Sequence, residues 1–149
     1  MVTNLCFSLT LEPVFYDYNY PEFTLTIDDT LLVHDLLRHT NKFKFNVMLE
    51  SGEHIIKLEL MNKGPKDTKV DAKGAILADK AIRIQSIDIE GYELSDFMHR
   101  AVYRPLNRPS MVSNYLGWNG VWQLALTTPI FTWIHKTQNL GWIYNETTL

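Results

Sequence analysis

A chain of 149 residues with 46% hydrophobic and 21% charged side chains has the make-up of one folded domain with its own core, so disorder is not the default. Its single cysteine, Cys6, excludes an internal disulfide, and a formal net charge of −3 argues against a general nucleic-acid binder. No window approaches the roughly 18 apolar residues of a membrane span, and with no basic residue before Arg38 and no continuous apolar run the N-terminus does not read as a signal peptide.

Leu5, Phe7, Leu9 and Leu11 alternate with Cys6, Ser8 and Thr10, which predicts a strand with a single apolar face ending at Glu12-Pro13. The aromatic loop that follows carries Tyr16, Tyr18 and Tyr20 at a spacing of two before Pro21. If extended, it would put the three rings on one side, as a stacking platform for a sugar or partner or as a lid over a sheet edge.

Phe23, Leu25 and Ile27 repeat the strand pattern, and Asp28-Asp29-Thr30 reads as a tight turn into Leu31-Leu32-Val33-His34. Residues 35–39 fit a short strand or one helical turn equally well. Phe43, Phe45, Val47 and Leu49 alternate with Lys42, Lys44, Asn46 and Met48. After Glu50-Ser51-Gly52, Ile56, Leu58 and Leu60 alternate with Lys57 and Glu59, which predicts a β-hairpin.

Residues 62–74 are polar and rich in turn formers, the kind of long loop on a rigid scaffold where binding residues gather. Asp67, Asp71 and Asp79 bracket it. An oxygen-rich loop can hold a hard cation, so the three are candidate calcium ligands, set against the alternative of solvated turn carboxylates. Ile82 and Ile84 share one phase and Ile87 and Ile89 the other, which predicts a β-bulge near Gln85-Ser86.

Leu94, Phe97, Met98 and Ala101 recur at helical spacing and predict a short helix over 93–103 that Pro105 stops. An irregular surface excursion is expected over 104–116. A strand then returns in which Trp122, Leu124 and Leu126 point one way, after a turn or bulge around Trp118 and Asn119. Ile130 to Ile134 fit a helical turn or a last strand, and the tail keeps Trp142 and Tyr144 as aromatic contacts.

The constellations of common enzymes are missing. No phosphate-binding glycine loop and no nucleophile elbow occurs, Cys6 lies inside a strand, and the five histidines lack zinc-site spacing. Charge is also polarised. Residues 1–37 hold Glu12, Asp17, Glu22, Asp28, Asp29 and Asp35 without a Lys or Arg, whereas Arg100, Arg104, Arg108 and Lys136 face only Glu146 after residue 97. Such asymmetry fits either internal pairing or complementary faces that meet between neighbouring subunits.

The run Gly52 to Asn62, the Asp67 to Asp71 loop and Ile82 to Gly91 resemble the calcium-dependent xylan-binding type of carbohydrate-binding module, over roughly a third of the chain. That resemblance implies a glycan ligand and calcium held by Asn62, Asp67, Asp71 or Asp79. The whole chain, including Gly117 to Trp122 and Pro129 to Trp133, is also similar to small structural proteins of tailed bacteriophages of marine bacteria, which implies a virion or virion-associated role after synthesis in the host cytoplasm.

The expectation is a single domain over 1–149, an all-β, jelly-roll-like β-sandwich with one short helix and an irregular C-terminal segment. Its expected function is that of a non-enzymatic phage structural or accessory protein. It would contact other virion proteins or further copies of itself through Tyr16, Tyr18, Tyr20, Trp118, Trp142 and Tyr144. The alternative is a calcium-dependent carbohydrate-binding module that recognises a host-surface glycan through the same aromatic residues.

Overall fold

The computed structural model describes residues 2–93 and 100–138, in which two antiparallel sheets of five strands each enclose one core. The first sheet contains β1 (Val2–Val14), β4 (Asn41–Glu50), β8 (Ala81–Ile89) and β11 (Tyr115–Leu116) in the order β11-β8-β1-β4, with β9 (Tyr92–Glu93) on β8. The second runs β10 (Val102–Pro105), β12 (Gly120–Thr128), β5 (Gly52–Leu60), β2 (Glu22–Ile27) and β3 (Thr30–Leu36). A separate hairpin pairs β6 (Lys69–Val70) with β7 (Ile76–Ala78), and α1 (Ile130–Gln138) follows β12. This is the all-β, jelly-roll-like sandwich that the strand patterns predict.

The period-two residues form the core. Leu5, Phe7, Leu9 and Leu11 of β1 and Ile82, Ile84, Ile87 and Ile89 of β8 face Phe23, Leu25, Ile56, Leu58, Leu60 and Trp122 of the other sheet, all essentially fully buried. Each such side chain contributes about 1.5–3 kcal/mol on leaving water. Phe7 meets Phe45 with ring centroids 5.6 Å apart, and Phe23 meets Phe43 at 5.3 Å. The phase change in β8 is the predicted bulge: Thr10 pairs Ser86 but Leu11 pairs Ile84, so Gln85 is the extra residue. All four isoleucines therefore reach the core. β1 is flanked on both sides, by β4 and β8, and Ser8 on its outer face is buried, where it donates to Asp88 at 3.2 Å.

Two expectations change. The strands either side of Glu50-Ser51-Gly52 are present, but they are not a hairpin: β4 pairs with β1, whereas β5 pairs with β12 and β2. The chain crosses from one sheet to the other at Ser51, and an alternating pattern is the same whether its next strand lies beside it or opposite. The helix expected over 93–103 falls largely on 94–99, outside the described residues. At its end, however, Val102 and Tyr103 are strand, because Tyr103 pairs with Trp122 across β10 and β12 and is buried beside it. The last segment resolves to a helix, α1, with Ile130 and Ile134 one turn apart against the core. Among the described residues no helix is long and apolar enough to cross a membrane.

Candidate functional site

At the end of the sandwich where β5 stops and β8 starts, three loops are tied together by side chains. Asn119 clamps the backbone of Lys63, accepting from its N–H at 2.7 Å and donating to its carbonyl at 2.8 Å. The Lys63 ammonium meets Asp79 in the interior, and Asp79 also accepts from Thr68 at 2.7 Å and from the Tyr115 hydroxyl. One layer out, Asp67 accepts from Asn19 at 2.7 Å and from the Gly64 N–H at 2.6 Å, with the Lys80 ammonium 3.3 Å away. Tyr16 donates to the Lys66 carbonyl at 3.0 Å.

These contacts set the ionisation. Burial pushes the Asp79 carboxyl up, but the bonds from Lys63, Tyr115 and Thr68 outweigh it and hold Asp79 below the usual carboxylate range. Asp67 is lowered in the same way, burial opposing and Gly64, Asn19 and Lys80 prevailing. The Tyr115 phenol moves up, through burial and then the anionic Asp79 beside it, so it stays a donor.

The aspartates expected to gather around calcium each have a protein partner in this structure. Asp67 and Asp79 each hold a lysine ammonium, and Asp71 closes its own turn by accepting from the N–H groups of Lys73 and Ala75 at 2.8 and 2.9 Å. Asn62 is engaged too, accepting from Glu22 N–H at 2.8 Å and donating to the Tyr20 carbonyl at 3.0 Å. Among the described residues no group of three or more His, Cys, Asp or Glu side chains converges as a metal site. The cations that Asp79 and Asp67 meet are the ammonium groups of Lys63 and Lys80.

The tyrosine row is also reshaped. Asp17 and Tyr18 have φ of 51° and 59°, a left-handed pair that makes a turn instead of an extended segment. Tyr18 projects with 84% of its surface exposed, Tyr20 packs on Phe15 at 4.7 Å, and Tyr16 lies under the Lys69 ammonium at 4.8 Å. Tyr18 also meets Tyr20 edge to face, with ring centroids 6.4 Å apart. Trp142 and Tyr144 lie outside the described residues.

Trp118 leads to a groove. The segment between β10 and β11 bridges the edges of the two sheets: Tyr103 and Met111 exchange backbone hydrogen bonds at 2.8 and 2.9 Å, and β11 pairs with β8. The Tyr103 hydroxyl accepts from the Trp118 N–H at 2.9 Å and donates to the Trp118 carbonyl. Beneath this bridge lies a groove of about 240 Å³ lined by Tyr103, Arg108, Met111, Tyr115 and Trp118 among others. The Arg108 guanidinium sits 5.2 Å from the Trp118 ring centroid, a cation–π stack. A Cβ on Gly117 would lie 3.0 Å from the Tyr115 ring, so glycine there lets the groove wall close.

Of the groove-lining residues, Arg108 and Tyr115 were left in the irregular excursion by the sequence reading, and Tyr103 was given to the end of the expected helix. The available signal was their density over residues 103–118, where two tyrosines, two arginines and a tryptophan fall close together.

The architecture is that of a β-sandwich found in carbohydrate-binding modules. Two solved structures carry this likeness. The structure of vCBM60 in complex with galactobiose is 15% identical and covers 80% of this chain and 96% of its own, with a TM-score of 0.52. The selenomethionine form of vCBM60, from work linking two families of calcium-dependent carbohydrate-binding modules by circular permutation, is 13% identical, covers 82% of this chain and 90% of its own, and also has a TM-score of 0.52. At such identities the likeness establishes the fold. No family model and no curated protein matches the chain.

Proposed function

We propose that this chain is a non-catalytic carbohydrate-binding sandwich that holds a sugar in the Tyr103–Trp118 groove without calcium. The observation that carries the reading is the stack of Arg108 over Trp118: a guanidinium with five donors for sugar hydroxyls on one face of an aromatic ring, whose other face would take the apolar face of a pyranose. The groove, at about 240 Å³, is below the 300–1,000 Å³ of sites for drug-sized ligands and suits a single sugar ring. The fold shared with galactobiose-bound vCBM60 supports the reading, and the lysine-filled aspartate cluster supports its calcium-free form.

A glycan array on the purified chain, run with calcium and with a chelator, tests it. Binding in both conditions that Trp118→Ala removes is the expected outcome. Absence of binding overturns the proposal, and binding lost on chelation overturns its calcium-free form. The proposal also places the chain on a phage particle, the role that the resemblance to small structural phage proteins implies. Purified particles that lack the chain by mass spectrometry would overturn that part.

A further inference from the structure

The two ends of the sandwich are chemically complementary and cannot meet within one molecule. At one end the β6–β7 hairpin stands apart from both sheets and exposes an apolar tip, with Val70, Ile76 and Leu77 at 56%, 64% and 68% exposure. Lys69 of β6 and Lys73 of the turn are exposed on the same hairpin, and exposed Lys66 precedes it. A two-stranded hairpin is marginal in water on its own, yet this one is pre-formed. Asp71 fixes the turn through its bonds to Lys73 and Ala75, and Thr68 and Asp79 anchor its base.

At the other end, where β5 begins, the β2–β3 turn and the start of β5 present Asp28 and Glu53 around a hollow of about 330 Å³, and exposed Asp29 is the next residue of that turn. Ala125, Leu126 and Trp133 contribute its apolar lining, and exposed Leu31 lies just beyond Asp29 in the same turn. His54 is held in the wall by Asp28 at 2.8 Å and by the Glu50 carbonyl at 2.6 Å. The nine residues of β5 separate this hollow from the root of the hairpin, which at about 3.3 Å per residue is roughly 30 Å. The hairpin cannot reach the hollow of its own chain.

We infer that the chain associates head to tail with a second copy of itself, the lysine-bearing Val70–Leu77 tip of one copy entering the acidic hollow between Asp28, Glu53 and Trp133 of the next. The contact is heterologous, so each added copy leaves one tip and one hollow open, and the assembly grows as a ring or an open fibre. Apolar burial supplies attraction, and the opposed charges select the register and make association weaken with salt.

Sedimentation velocity of the full chain against concentration, at low and high salt, tests this with two doubly substituted variants. Ile76→Ser with Leu77→Ser blunts the tip, and Asp29→Lys with Glu53→Lys reverses the hollow; all four positions are exposed, and circular dichroism confirms folding. The wild type should show a mass that rises with concentration at low salt and falls on adding salt. Each variant alone should stay monomeric, whereas their equimolar mixture should form a dimer and nothing larger, because one intact tip and one intact hollow remain. A wild type that is monomeric up to about 1 mM, where even an interface of about −4 kcal/mol is half formed, would overturn the inference. So would association that either variant retains alone, or a mixture that stays monomeric.

Discussion

Lys63 and Asp79 form an ion pair in the interior, with their side chains only 2% and 7% exposed. Removing one partner from such a pair leaves a buried charge uncompensated, a cost of about 3–5 kcal/mol. Asp79→Ala should therefore lower the urea midpoint by that free energy and also free the Tyr115 hydroxyl at the rim of the groove. Lys63→Met with Asp79→Leu, which removes both charges, should cost much less; a double variant as unstable as the single one would refute the account.

The calcium-free form of the proposal has its own test. A genuine site saturated at a hundred times its Kd would add about 2.7 kcal/mol and raise Tm by several degrees. Scanning calorimetry with millimolar calcium and then with a chelator should give the same Tm, and Asp71→Ala should leave it unchanged because Asp71 serves its own exposed turn.

Within the groove, Trp118→Ala should weaken glycan binding about tenfold or more, since stacking contributes about 0.5–1.5 kcal/mol beyond area burial. Arg108→Lys keeps the charge but loses the planar fork and its stack on the ring, so it should fall between wild type and Arg108→Ala. Titration calorimetry with the glycan selected on the array checks the order.

His54 and Asp28 give stability a pH window. Burial disfavours the charged ring, yet the bonds to Asp28 and to the Glu50 carbonyl raise His54 above its ordinary 6.5. That contribution is complete below 6.5 and is lost as pH rises through the higher folded value. Burial likewise opposes ionisation of Asp28, but the bonds from His54 and Ile55 lower it below 3.8, so its contribution is present above 3.8 and is lost as pH falls through the lower folded value. Urea midpoints between pH 5 and 9 should decline at the alkaline side, and His54→Gln should flatten that decline.

Gly120 marks where β12 passes β10. A Cβ there would lie 2.4 Å from the Arg104 carbonyl oxygen and 2.6 Å from the Pro105 Cα, both backbone atoms that cannot rotate away. Gly120→Ala should cost more than about 1 kcal/mol and, by displacing the edge that carries Tyr103, weaken glycan binding as well. Unchanged stability would mean that β10 moves freely.

Much of the fold is legible in the chain itself. Alternation located β1, β2, β4, β5 and β12 because a strand half in water must put every second residue in the core. The phase slip between Ile84 and Ile87 required the bulge, since an unbroken strand would have turned two isoleucines to solvent. Partner choice was not legible: backbone ladders are nearly blind to sequence, so Phe43–Leu49 and Ile56–Leu60 read as a hairpin although they lie in different sheets.

The site was decided almost entirely by tertiary structure. Sequence singled out Trp118 as a candidate contact and Asp67, Asp71 and Asp79 as carboxylates near one loop. Only the folded chain sets Lys63 against Asp79, Lys80 against Asp67 and Arg108 over Trp118. Local spacing dictates which face a residue takes along its own strand; which charge or ring it meets depends on loops brought together from positions far apart in the chain, and that follows from closure of the two sheets.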